Sequence, residues 1–202
     1  MPAPFLRVLA QRRTSTTLIA QAPARTELEE IVRAALGRPA AQTLSPWRLV
    51  TTPRSQAPLL AAALCGLRAL PDIGDGSAPL RGKQLRRLAA FRGSLSFASK
   101  GGMAMALVFS PAVDSEASRK RQRMEAYAVR PLLEAALCAN GWAVQWSPRE
   151  SPDEEVLTEF YGLDEREEIL GWLFIGRPDP EELRDASAGP APEIASRLEI
   201  RD

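Results

Sequence analysis

Apolar residues recur along this chain in two periods, and the switches between them predict a series of elements. Leu28, Ile31, Val32, Ala35 and Leu36 fall at helical spacing after Thr26. Thr26 followed three residues later by Glu29 predicts a capping box, and Gly37 with Pro39 predicts the stop. Phe5 to Arg13 reads as a shorter helix before it, and Gln56–Leu70 and Leu80–Ala98 as two more after it. Gly74, Gly76 and two prolines mark Pro71 to Pro79 as the loop between those two. Trp47–Thr52 and Met103–Phe109 are short runs bounded by turn residues, which predicts strands.

The longest helical pattern is Glu116–Asn140. Pro131 inside it removes one helix bond and predicts a bend. Leu132 to Ala139 is apolar almost all round, the pattern of a buried central helix, and Asn140-Gly141 is a strong stop. Trp142–Trp146 then reads as a strand. Ser151-Pro152-Asp153-Glu154 is a second capping box opening a helix through Tyr161, and Glu168–Ile175 is the last strand. From Asp179 the chain is polar and Pro-rich and reads as an extended arm. This order predicts one domain over residues 1–178, an arm over 179–202, and an α+β sheet of four to five strands with helices on both sides.

Composition narrows the chemistry. The 202 residues contain no His, which excludes Ser-His-Asp and Cys-His nucleophile systems and His-based metal sites. Cys65 and Cys138 stand apart in Ala/Leu-rich helical patterns, so they read as buried reduced thiols and point weakly to the cytoplasm; no metal site is expected. The apolar stretches are too short and interrupted for a membrane span, and the first residues do not read as a signal peptide. Such a chain works through carboxylates or through a cofactor.

The near-neutral total charge hides an asymmetry. Residues 1–149 hold 21 of the 26 basic and 9 of the 25 acidic groups, and residues 150–202 hold the other 5 and 16. No acid falls between Gly76 and Val113, against Arg81, Lys83, Arg86, Arg87, Arg92 and Lys100. The basic block needs an anionic partner or the acidic C-terminal part. Nucleic acid is the weaker choice, because Phe91 alone interleaves aromatics with the basic residues.

Three segments carry a resemblance. They are Arg12-Arg13-Thr14, then Arg38 to Arg48 running into Leu49-Val50-Thr51, then Gly171 to Pro178. In this order and spacing they resemble the nitroreductase family of flavin enzymes. That family has Arg-Arg-Ser, then a Pro-Ser-Ser-x-Asn-x-Gln-Pro-Trp loop, and Gly-x-Pro after its last core strand. The resemblance implies a mostly antiparallel central sheet flanked by helices, and a homodimer with exchanged arms. It also implies FMN, NAD(P)H as co-substrate, and a small electron acceptor such as a nitro compound or quinone.

The same resemblance implies the site residues. Arg12 and Arg13 meet the FMN phosphate and polar flavin edge with bidentate, charge-assisted bonds, and Thr14 adds a hydroxyl. Arg38, Gln42 and Thr43 supply polar groups from the loop. Trp146, Ser147 and Pro148 lie in the segment that passes the flavin ring, where a backbone N–H meets the ring. Pro148 has none, so Ser147, Arg149 or Glu150 donates. Arg177 and Arg184 are the basic residues past the last strand. Read without the resemblance, Trp47 and Trp146 are aromatics packed at strand ends, and Glu154-Glu155 and Glu167-Glu168 are a helix first turn and a surface loop. Ala40 and Ala41 stand at polar positions of the loop, Thr43 at the usual Asn and Ser45 at the usual Gln. That leaves a second reading: the same fold with weakened or lost FMN binding, acting as a binding or regulatory protein.

Overall fold

The computed structural model describes residues 17–37, 45–64, 93–112, 115–149 and 154–181. The Phe5–Arg13 helix, the Pro71–Pro79 loop, the capping box at Ser151 and the arm beyond residue 181 lie outside them. So do the end of the Gln56–Leu70 helix and the first part of the Leu80–Ala98 helix.

The described elements are β1 (Leu18–Ile19), α1 (Arg25–Leu36), β2 (Trp47–Thr52), α2 (Ala57–Leu64), α3 (93–99), β3 (Met103–Phe109), α4 (Glu116–Ala139), β4 (Ala143–Pro148), α5 (Glu154–Tyr161) and β5 (Glu168–Pro178). All strand pairings are antiparallel. β5 lies in the middle, with β3 along one edge and β4 along the other. β1 pairs with Arg177 and Pro178, and β2 with β3. At the β3–β5 pairing the register shifts between Leu107 and Val108, and Leu170 is the extra residue.

Both faces of this sheet are covered, so its central strands are near-continuous apolar runs. Met105, Leu107, Leu173 and Ile175 point to a core closed by α1 and α4. Ala104, Ala106, Trp172 and Phe174 point to a second core closed by α2, α3 and α5. The two-residue alternation of a strand separates them. The expected sheet with helices on both sides is what forms.

Local differences have local causes. α1 begins at Arg25 with Ala24 as N-cap and no side-chain cap bond. The Ala24 carbonyl already accepts from Leu28 N–H at 2.9 Å, so the helix starts before Thr26, and Glu29 pairs with Arg25 at 2.8 Å instead of closing a capping box. α4 runs unbroken through Pro131. Tyr127 and Pro131 both lie on the solvent side, where water can meet the Tyr127 carbonyl that lost its donor. The second half of α4 is not buried all round: Leu132 is 51% exposed, and Cys138 is half-buried.

Asn140-Gly141 ends α4 as expected, Gly141 having φ +76°. Trp142 N–H then bonds back to the Leu137 carbonyl at 3.0 Å, so Trp142 belongs to the helix stop and β4 begins one residue later. β5 runs three residues past Ile175 because Gly176 meets β4 and the next two residues meet β1. β1 was not expected, two residues being too short to show a period. No helix among the described residues is long and apolar enough to cross a membrane.

One buried polar network joins three elements. Tyr161 Oη lies 2.7 Å from Thr52 Oγ1 and accepts from Trp172 Nε1 at 2.9 Å. Burial foremost raises the Tyr161 pKa, so the hydroxyl stays neutral. Tyr161→Phe removes the buried oxygen that Thr52 Oγ1 and Trp172 Nε1 both reach. Urea unfolding is expected to show a loss of about 1–3 kcal/mol; an unchanged midpoint would mean the network is not formed.

Candidate functional site

Of the residues expected to line the cofactor, Trp146, Ser147 and Pro148 fall in the described structure at the end of β4, with Arg149 just after them and Arg177 in β5. The alternation of the strand places Trp146 on the α4 face and Ser147 on the other. They can therefore meet one planar ring only at the strand's end. Pro148 is exposed. Arg12, Arg13, Thr14, Arg38, Gln42 and Thr43 lie outside the described residues.

The Trp146 indole is fixed from two sides. The Arg130 guanidinium stands 4.9 Å from the ring centroid and is itself held by Glu134 at 2.6 Å. Below, the ring rests where Gly171 has no side chain: a Cβ there would stand 2.4 Å from Trp146 Cζ2 and 2.6 Å from the Ser147 carbonyl oxygen.

Backbone donors at this strand end are already in use. Arg149 N–H donates to the Leu170 carbonyl at 3.1 Å. In an antiparallel ladder the bonded pairs recur every second residue, so Ser147 N–H also points to β5. Ser147 and Arg149 thus do not offer a free N–H to a flavin ring, which corrects the expectation for those two. The Trp146 indole and the Ser147 hydroxyl suit such a ring, an aromatic system edged with carbonyl acceptors.

Arg177 is engaged too, and it lies within β5 rather than past it. Its guanidinium lies 3.6 Å from the Trp142 ring centroid, and Nη1 donates to the Gly141 carbonyl at 3.0 Å. Trp142 Nε1 donates in turn to Glu27 at 2.7 Å. Along α4, Arg119 stands over Phe109 and Arg123 lies 2.8 Å from Glu168. These arginines are tied into the fold, unlike a row of open phosphate contacts. Among the described residues no cluster of His, Cys, Asp and Glu could hold a metal ion.

A second polar cluster was not anticipated. Arg48, at the start of β2, donates from Nε and Nη2 to Glu167 at 2.8 and 2.7 Å. Pro46, just before β2, is held by Ser110 N–H at 2.9 Å. Glu167 is therefore no solvated surface carboxylate. The pair is 119 residues apart in sequence, so neither period nor spacing reveals it.

The Arg48 hydrogen bonds foremost hold the Glu167 carboxyl down at about 2. With the folded-state pKa below the ordinary 4.5, the pair stabilises fully above about pH 4.5 and is lost as pH falls toward 2. Arg48 is partly open to water, which weakens the pair, so Glu167→Gln is expected to cost about 1–2 kcal/mol at pH 7. It should also flatten the acid limb of the stability curve between pH 4.5 and 2. An unchanged acid limb in denaturant melts would assign that limb to other carboxyls.

The nitroreductase family profile matches residues 9–177. The chain belongs to the nitroreductase family, whose members are oxidoreductases. Among solved structures it is similar to the nitroreductase-like family protein from Bacillus cereus, at 16% identity over 100% of this chain and 98% of that one, with a TM-score of 0.71. It is also similar to the FMN and NADPH-dependent nitroreductase NfnB from sphigopyxis sp. strain HMH, at 18% identity over 99% and 100%, with a TM-score of 0.69. A third is the FMN-dependent nitroreductase NfnB from Mycobacterium smegmatis in complex with NADPH, at 17% identity over 98% and 97%, with a TM-score of 0.64. At these identities the likeness establishes the fold. No curated protein matches the chain in sequence.

Proposed function

We propose that the chain is an FMN-dependent oxidoreductase that takes a hydride from NADH or NADPH and delivers reducing equivalents to a nitro compound, a quinone or a similar small acceptor. The observation that carries this reading is the family match over residues 9–177, which spans both the Arg12-Arg13-Thr14 motif and the β4–β5 strand ends. FMN, when bound, supplies the redox chemistry. The chain binds and orients it: Arg12, Arg13 and Thr14 at the phosphate, Arg38, Gln42 and Thr43 from the loop before β2. Trp146 walls the ring from β4, with Ser147 and Pro148 beside it. A chain without His suits this division of labour, because no imidazole is needed to move a proton.

The working unit in this reading is a homodimer, residues 1–178 forming the domain and 179–202 an arm on the partner. An exposed apolar stripe on α4 supports it. Met124, Tyr127 and Leu132 are 67%, 41% and 51% exposed, with Ala128 and Pro131 exposed between them, and they recur at helical spacing along one face. A contiguous stripe of this kind fits a second copy better than water.

The flavin-free reading keeps one specific support. The loop lacks polar groups at Ala40 and Ala41, the Arg149 N–H is bonded to the Leu170 carbonyl, and the ladder register turns the Ser147 N–H toward β5. The absorption spectrum decides between the two, recorded after incubation with FMN and removal of free flavin. A retained flavin band that NADH or NADPH bleaches without oxygen is expected. A folded, dimeric and colourless protein would establish the flavin-free reading.

A further inference from the structure

A pocket of about 350 Å³ opens between the start of β2, the end of β3 and the α5–β5 loop, on Arg48, Ser110, Pro111, Asp164, Arg166 and Glu167. No part of the flavin reading uses it. The hydrogen bonds around it are unevenly filled. Glu167 is saturated by Arg48 Nε and Nη2, the Asp164 N–H and the Ser110 hydroxyl. Asp164 Oδ1 accepts from the Arg166 N–H and Nε. Arg48 Nη2 also reaches the Gly162 carbonyl at 3.3 Å, whereas Arg48 Nη1, both Arg166 Nη groups and Asp164 Oδ2 bond to no other described residue.

The pocket thus presents two unfilled guanidinium ends and one unfilled carboxylate oxygen. Its frame is already set. Arg48 is clamped by Glu167, Arg119 Nη2 holds the Arg166 carbonyl at 2.9 Å, and Glu167 N–H closes a turn on the Asp164 carbonyl at 2.9 Å. Lining charges are balanced, two positive and two negative, so a simple anion gains little there. A small molecule carrying both charges on neighbouring atoms matches both kinds of open group that line the pocket. Guanidinium forks suit a carboxylate, and the Asp164 oxygen suits an ammonium.

We propose that this pocket binds a small α-amino acid, its carboxylate against Arg48 and Arg166 and its ammonium against Asp164. Because the groups are solvent-facing, the affinity is expected on the order of 1 mM.

The test is a titration of the full-length protein with L-alanine, followed by saturation-transfer NMR and calorimetry. Propionate and ethylamine, which each lack one of the two charges, run alongside. Alanine is expected to saturate, with propionate and ethylamine binding at least tenfold more weakly. Arg166→Ala should weaken alanine about fivefold or more. Asp164→Asn should weaken alanine while leaving propionate unchanged. Both side chains are exposed, and unfolding curves confirm that the variants fold. No saturation by alanine at tens of millimolar, or equal binding of alanine and propionate to the native chain, overturns the proposal. A response equal in the native chain and both variants does the same. None of these outcomes depends on whether the protein holds flavin, so the two readings fail separately.

Discussion

Replacing Gly171 with alanine is expected to cost about 3 kcal/mol of stability and to remove retained flavin. The added Cβ meets the Trp146 ring at 2.4 Å and the Ser147 carbonyl oxygen at 2.6 Å. The ring can swing away only by leaving Arg130, and the carbonyl can move only by breaking the β4–β5 ladder. Overpacking against a backbone atom lies at the upper end of the usual range. Gly93→Ala is the control: a Cβ there meets nothing within 4 Å, so it should leave stability unchanged or slightly improved. Urea unfolding of both variants is the measurement. A Gly171→Ala protein as stable as the native chain would mean that Trp146 does not lie across β5 as described.

The second large effect concerns α4. Placing aspartate at both Tyr127 and Leu132 puts two charges on the exposed stripe without touching the core on the other side of the helix. On the proposed homodimer, light scattering is expected to report two chains for the native protein and a mass near one chain for the double variant. Burying two unpaired carboxylates would cost far more than the stripe contributes. If the flavin site is shared between copies, the colour should vanish with the dimer. A double variant that keeps the dimer mass would move the interface elsewhere.

How much the sequence disclosed depended on how local each signal was. β2 and β3 begin and end where the sequence places them, because each is an apolar run fenced by turn residues. The stop at Asn140-Gly141 was legible for the same reason. Thr26 misled because a good capping residue can sit inside a helix whose first bond forms two residues earlier, at Ala24. Leu132 misled because an apolar residue on the solvent side of a helix reads, in sequence, like one facing the core.

For the site, Trp146 was legible as an aromatic at a strand end, but its clamp by Arg130 and Gly171 comes from two distant elements. The Arg149 N–H could not be assigned before the β4–β5 register was known. Arg48 and Glu167 carry no pattern at all, only an encounter made by the fold.

The central position of β5 has a consequence for how the chain is made. It is the last of the described strands in sequence, and it pairs with β1, β3 and β4. On a ribosome, a chain that has emerged only as far as α5 can form the β2–β3 pair, but β4 and β1 have nothing to join. Trp172, Leu173, Phe174 and Ile175, which plug both cores, arrive together and late. Until then two oily surfaces stand open, so nascent chains are expected to lean on chaperones. Closure then comes as one late, long-range event.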